Sequence, residues 1–294
     1  MKVLITGGSG FIGQHIINIL KESGTELIVV GRRPISDGIE FQQIDLLHDQ
    51  DFNRLFKEGK VTHLLHLAWI ADHGKYWTSP LNSRWVAATC KLVEAFCKSG
   101  GKHFVASGTS AEYESSNSTC LEDSTPLHPA SLYGVSKDKS RRLAKAICEE
   151  NGVTCGWARI FQAYGPGEFP ERLLPSIVDA FEGRREFFSI DSNLMRDFVH
   201  ARDIATAMLV LLRTGAHGEF NISNNQPVKL ADVIREIAEQ LGKDANDFMR
   251  LSKTRPNEPR MLVGDNRKLL NLKWKPEYCF SSGIRQTLER NDAN

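Results

Sequence analysis

Tyr133 and Lys137 stand four residues apart, and on a helix that spacing puts both side chains on one face. A free tyrosine has a pKa of about 10 and is a poor acid or base near neutrality. A lysine ammonium beside it favours the tyrosinate and lowers that value. Such a phenol gives a proton to a carbonyl oxygen as hydride reaches the carbon, or takes one from an alcohol in reverse. A hydroxyl from Thr109 or Ser110 would hold the same oxygen and disperse its developing charge. Alone the pair means little, because a chain with 5 tyrosines and many lysines often carries it as a surface helical pair. Its weight comes from what surrounds it.

Hydride chemistry needs a carrier, and residues 2–13 offer a place for one. Val3–Ile5 is a short apolar run that reads as a buried strand. It breaks into Thr6-Gly7-Gly8-Ser9-Gly10, and an apolar-periodic helix follows from Phe11 to about Leu20. Strand, glycine turn and helix open a dinucleotide-binding βαβ unit. Gly7 permits the tight turn, Gly10 lets the backbone approach a pyrophosphate, and Gly13 lets the helix pack against the sheet. The helix N-terminus adds free N–H groups and a positive dipole end.

The remaining elements position these groups. Leu27–Val30 is a second strand and ends in Gly31-Arg32-Arg33, with no acid until Asp37. An acid near this point accepts from the ribose 2′-OH of NAD, whereas an arginine pair binds a 2′-phosphate. NADP(H) is therefore favoured, with NAD(H) as the alternative. Phe41–Ile44 is a strand followed by Asp45, placed either to accept from an adenine amino group or to cap a helix. Asp51–Lys57 reads as a helix. Val61–Leu67 is a strand leading to Ala68, small enough for a cofactor to pass close by. His66 reads as a core histidine, since nothing near it in sequence supplies a partner. Gly74–Pro80, with Tyr76 and Trp77, either lines a sugar pocket or caps the core. Asn82–Lys98 is a long amphipathic helix, and His103–Ala106 a strand ending in the hydroxyl cluster at Ser107–Ser110. Another helix runs from Ser131 to about Glu150, and Val153–Ile160 is a sixth strand. Alternating strands and helices imply an α/β doubly wound parallel sheet. Beyond Gly165 the strands shorten and loops lengthen. We read residues 1–165 as a dinucleotide-binding domain to which 197–224 return, and 166–196 with 225–294 as a smaller substrate-binding domain.

Composition excludes several classes. Hydrophobic residues at 41% and charged residues at 25% are ordinary globular values. A formal charge of +1 gives no field to recruit nucleic acid or an anionic membrane. The 6 cysteines form no C-x-x-C pair and read as buried thiols rather than metal ligands or disulfides. No run spans a bilayer, and no leader precedes the first strand. A cytoplasmic protein with no bound metal is expected.

Several motifs recur together: Thr6-Gly7-Gly8-Ser9-Gly10-Phe11-Ile12-Gly13, Asp45-Leu46, His66-Leu67-Ala68, the hydroxyl strand end, Tyr133-x-x-x-Lys137, Arg159, Tyr164-Gly165-Pro166-Gly167, Arg196-Asp197-Phe198-Val199-His200, Arg255-Pro256 and Asp265-Asn266. On these the chain resembles the extended short-chain dehydrogenase/reductases that act on nucleotide sugars. Within them it is closest in look to NADPH-dependent reductases of nucleotide-linked 4-keto-6-deoxyhexoses. The resemblance implies a Rossmann-type domain and a catalytic triad of Thr109, Tyr133 and Lys137. Cofactor contacts would come from Gly7, Gly10, Phe11, Ile12, Gly13, Arg32, Arg33, Asp45, Leu46 and Ala68, with Tyr133 and Lys137. Substrate contacts would come from Thr109, Ser110, Gln162, Arg172, Arg196 and Arg255. Arg196 and Arg255 match positions that hold the nucleotide diphosphate; the plain alternative for either is a salt bridge, to Asp197 or Glu258 for example. Relatives pair as homodimers through two helices that match Asn82–Lys98 and Ser131–Glu150.

Three departures sort the reactions. The family's dehydratases follow the catalytic Thr with Asp-Glu, and here Ser110-Ala111 follows Thr109. Its epimerases mostly retain NAD and carry the acid after strand two, where this chain has Gly31-Arg32-Arg33. Gln162 stands where many relatives have Asn, and Arg202 where an acid is common. The expectation is an NADPH-dependent 4-ketoreductase. A 4-epimerase with tightly bound NAD and a non-catalytic NADP-binding sensor or scaffold are the alternatives.

Overall fold

The computed structural model describes residues 1–35, 38–49, 51–56, 61–114, 118–254 and 258–291. In chain order the first half runs β1 (Lys2–Thr6), α1 (Phe11–Glu22), β2 (Glu26–Gly31), β3 (Glu40–Gln43), β4 (His63–His66), α2 (Leu81–Lys98), β5 (His103–Thr109), β6 (Thr119–Cys120), α3 (Leu132–Glu150) and β7 (Thr154–Ile160). The second half runs β8 (Gln162–Tyr164), α4 (Leu173–Phe181), β9 (Met195–His200), α5 (Ala201–Thr214), β10 (Gly218–Ile222), β11 (Pro227–Lys229), α6 (Leu230–Leu241), α7 (Asn246–Met249), β12 (Met261–Gly264), α8 (Arg267–Asn271) and α9 (Phe280–Asn291).

The expected doubly wound sheet is present. Its strands lie in the order β10-β7-β5-β4-β1-β2-β3, and every neighbouring pair is parallel. Parallel strands covered on both faces are apolar throughout, which is why Val3, Leu4 and Ile5 are all buried. Alternation divides them between two cores. Val3 and Ile5 pack with Ile16, Ile17 and Leu20 of α1 and with Ile204 and Met208 of α5. Leu4 faces the other way, with Leu64, Leu92 and Phe96 under α2. The order reverses between β1 and β4, which opens a crevice at their carboxyl ends where ligands of such sheets bind.

A second sheet has the order β11-β9-β12-β6, with β8 also paired to β9. Of the 197–224 stretch, β10 joins the main sheet beside β7, whereas β9 runs in this small sheet. A third core gathers Ile177, Phe198, Val233, Ile234 and Phe248 beneath it. Asp197 ties the parts together: its buried carboxylate accepts from the amides of Asn224, Asn225 and Gly264 at 2.8–3.2 Å. The helix expected at Asp51–Lys57 is only a 3₁₀ turn over Asn53–Phe56, which suffices to bury Leu55 and Phe56. Lys57 itself lies outside the described residues. No helix among the described residues is long and apolar enough to cross a membrane.

Gly7 is the point at which β1 must turn. Its φ is +75°, and a Cβ there would sit 2.6 Å from the Ala68 amide nitrogen. Gly7→Ala would meet left-handed strain and a backbone clash together. We expect it to lower unfolding stability by about 2 kcal/mol or more, read from denaturant midpoints.

Candidate active site

The crevice starts at the glycine turn. Gly10 is the N-cap of α1 and offers no side-chain cap, so the first amides of the helix have no partner from it. A Cβ on Gly10 would meet only the Gly7 carbonyl oxygen, at 3.2 Å, while one on Gly13 would strike that oxygen at 2.3 Å. The turn is thus tight behind and open in front, a cradle that fits a pyrophosphate. Phe11 and Ile12 are half-buried beside it. Ala68, also half-buried, donates its amide to the Thr6 hydroxyl at 3.4 Å.

At the end of β2 a Cβ on Gly31 would come no nearer than 3.9 Å to anything. Arg32 and Arg33 follow it on the surface, while Asp37 lies outside the described residues. Leu46 is buried. The Asp45 carboxylate accepts from the Leu47 amide at 2.9 Å and meets His48 at 3.0 Å. Partial burial opposes its charge, yet those hydrogen bonds and the charges of His48 and Arg32 hold its carboxyl below the usual range. The carboxylate therefore caps its own turn, and Arg32 is close enough to act on it.

Deeper in, β5 and α3 meet. Ser131 caps α3 by accepting from the Gly134 amide at 3.1 Å. The Tyr133 amide donates to the Trp77 carbonyl at 3.1 Å. The Tyr133 ring lies edge-on to Tyr76 and Trp77, with centroids 4.9 and 5.7 Å away. Thr109 ends β5, and its hydroxyl is in hydrogen-bonding reach of the Tyr133 phenol. The buried Lys137 ammonium donates to the Ser107 carbonyl at 2.8 Å and stands 4.1 Å above the Trp69 ring. That ring is fixed by its N–H, which donates to Asn82 at 2.8 Å. Ser110 is buried one residue beyond Thr109. The Tyr133 phenol thus meets the Thr109 hydroxyl, while the Lys137 ammonium, one turn along the same helix, sits on Ser107 of the strand that ends in Thr109.

The electrostatics differ from expectation. Lys137 spends its charge on Ser107 and Trp69, and burial pushes the Tyr133 pKa up rather than down, with Tyr76 adding to this and the Thr109 hydrogen bond opposing it. Burial also pulls Lys137 down to about 7, against the pull of Glu112. Burial therefore favours the phenol form of Tyr133 over the tyrosinate. His66 is a core histidine, but it does have partners: its ring nitrogens meet the hydroxyls of Thr6 at 2.6 Å and Thr89 at 3.0 Å. Burial, and then the Lys137 charge, lower its pKa to about 3, so it stays neutral.

The candidate substrate residues divide. Arg172 joins the cluster: it donates to Glu168 at 2.9 Å, and its charge reaches both Tyr76 and Tyr133. Gln162 opens β8, half-buried and paired in register with Phe198. Arg196 is buried and held by Glu258 at 2.7 Å and by the carbonyls of Met195 and Pro259. Arg202 pairs with Glu277 at 3.0 Å. Arg255 lies outside the described residues. Two participants were missed in the sequence. Trp69 carried no signal beyond its place after Ala68. Glu112 did carry one, because Thr109-x-x-Glu112 is a capping-box pattern, and that box is formed.

Comparison with known proteins bears on this cluster. Residues 3–223 match the NAD dependent epimerase/dehydratase family. The chain is 26% identical to mouse dTDP-D-glucose 4,6-dehydratase, over 98% of this chain and 88% of that protein. It is likewise 26% identical to UDP-glucose 4-epimerase of Streptomyces lividans, over 94% and 91%. The crystal structure of dTDP-glucose 4,6-dehydratase from Bacillus anthracis, in complex with NAD, superposes with a TM-score of 0.87 at 26% identity, over 100% of this chain and 97% of that one.

Titration checks the charge states of the ligand-free site. NMR of isotope-labelled lysine should show one buried side chain that is ammonium below about pH 7 and amine above it, absent in Lys137→Met. Ultraviolet difference spectra should show no Tyr133 ionisation up to about pH 10.

Proposed function

The chain belongs to the NAD-dependent epimerase/dehydratase family of extended short-chain dehydrogenase/reductases, and from that premise we propose that it is an NADPH-dependent reductase of a nucleotide-linked 4-keto-6-deoxyhexose. The observation that carries this reading is the end of β2. A Cβ at Gly31 would make only ordinary contact, 3.9 Å from the Phe41 ring, and two exposed arginines follow it. A 2′-phosphate needs both the room and the fork donors. The relatives that modify dTDP- and UDP-linked glucose support a nucleotide sugar as the partner, and Ser110-Ala111 after Thr109 argues against dehydration.

The bound reduced nicotinamide would supply hydride to C4 of the sugar. The chain would hold it by the glycine turn and α1 amides at the pyrophosphate, Arg32 and Arg33 at the 2′-phosphate, and Ala68 and Lys137 farther along. Tyr133, a phenol in the resting site, passes its proton to O4. Thr109 donates to the same oxygen as charge gathers there. Arg196 and Arg255 would hold the substrate diphosphate, with Arg172, whose charge reaches Tyr133, among the other substrate contacts. Pairing of two copies through α2 and α3 belongs to the same reading, and Leu132, Val135 and Leu143 leave apolar side chains exposed along α3.

The test is NADPH oxidation with dTDP-, CDP- and GDP-linked 4-keto-6-deoxy sugars. We expect turnover with one of them and a fall of about 10²-fold or more in Tyr133→Phe. Arg32→Ala/Arg33→Ala should raise KM for NADPH about tenfold or more while leaving KM for NADH nearly unchanged. Copurified NAD with interconversion of sugars would favour the epimerase instead. Cofactor binding without any turnover would favour the sensor.

A further inference from the structure

Beneath Thr109 lies a carboxylate with no exposure to solvent, Glu112. Its Oε1 accepts from the Thr109 amide at 2.9 Å and from the Trp157 indole N–H at 2.9 Å. Its Oε2 accepts from Arg159 Nε at 2.8 Å. Arg159 is itself 1% exposed and donates onward to the Tyr113 hydroxyl at 3.1 Å. The backbone is shaped around this group. A Cβ on Gly108 would lie 2.2 Å from the Trp157 nitrogen and 2.7 Å from Glu112 Oε1. The residue before Thr109 therefore has to lack a side chain for indole and carboxylate to meet. From above, a Cβ on Gly134 of α3 would strike the Ala111 carbonyl at 2.3 Å. The turn that carries the Thr109 hydroxyl is thus held between a buried carboxylate and the first turn of the helix bearing Tyr133.

Packing alone does not require this arrangement. A buried ion pair is often replaced by apolar side chains of like volume at no cost in stability. An apolar pair would not, however, take the Thr109 amide, and that hydrogen bond is one half of the capping box whose other half runs from the Ala111 amide to the Thr109 hydroxyl at 3.2 Å. Glu112 is also a charge that opposes the desolvation of Lys137.

We infer that Glu112 is a positioning residue of the reaction: through the Thr109 amide, its buried carboxylate aims the Thr109 hydroxyl at the oxygen that Tyr133 protonates. The inference rests on the catalytic roles proposed for Thr109 and Tyr133.

The experiment compares Glu112→Leu/Arg159→Met, which removes the acceptor and leaves no charge unpaired, with Glu112→Gln, which keeps an oxygen facing the Thr109 amide but unpairs Arg159. The first should remain folded with a melting temperature near wild type, while kcat falls about 10²-fold at nearly constant KM for NADPH. The second should melt lower yet recover about tenfold of that loss in kcat, so that stability and turnover move in opposite senses. A folded Glu112→Leu/Arg159→Met enzyme with wild-type kcat overturns the inference. Should that variant not fold, Glu112→Gln is compared in wild-type and Thr109→Ala backgrounds. No further loss of kcat in the latter supports action through Thr109, and a fully multiplicative loss overturns it. A crystal structure of Glu112→Leu/Arg159→Met decides the same point without any turnover: a Thr109 hydroxyl swung away from Tyr133 supports the inference, and one that has not moved rejects it. If no 4-keto sugar is reduced by the wild type, the functional reading fails on its own and this structural comparison still stands.

Discussion

The seating of the first turn of α3 on the carboxyl end of β5 is the contact on which the site depends. Gly134 permits it, because no side chain fits between that helix and the Ala111 carbonyl. The contact brings Tyr133 to Thr109 and, one helical turn later, Lys137 to the Ser107 carbonyl on the same strand. A helix and a central parallel strand are stiff elements, so the geometry does not rely on a loop. Segment 69–82 then closes over the junction, with Trp69 under the ammonium and Tyr76 and Trp77 against the phenol.

The same enclosure sets the chemistry of the resting site. Taking a phenol and an ammonium out of water favours the neutral form of each. A tyrosine that keeps its proton and a lysine poised near neutrality are two results of one cause, the desolvation under that aromatic cover. The lysine is not left bare. One carbonyl and one indole face replace part of its hydration, and Glu112 lies near enough to act on it.

What could be read from the sequence follows from the range of each interaction. The glycine turn, the strand–helix alternation and the Tyr133–Lys137 face are local patterns, and they survive folding with shifts of one to three residues at the ends. The 3₁₀ turn at Asn53–Phe56 reads as a longer helix in the sequence because two buried apolar residues in a row suit a single turn as well as a helix. The place of β9 in the small sheet was not legible, since pairing among strands of three to six residues is settled by register with β8, β11 and β12. The direction of the Tyr133 pKa shift is not legible in the sequence for a related reason. Four-residue spacing says which side chains share a face, but burial depends on Tyr76 and Trp77, far away in the chain. Glu112 and Arg159 are 47 residues apart, and only the β5–β7 register makes them partners.

Arg196 shows how a buried cation is satisfied within the small sheet. A guanidinium buried this deeply would be costly without a counter-charge, and Glu258 supplies one at 2.7 Å. The two partners differ in exposure: the arginine side chain is 9% accessible and the glutamate 35%. The other guanidinium nitrogen is taken up by the carbonyls of Met195 and Pro259. These three partners all come from the chain itself, and the salt bridge to Glu258 is the plain alternative that the sequence context of Arg196 allows. A side chain so held contributes to the packing of the small sheet through a paired charge rather than an apolar contact.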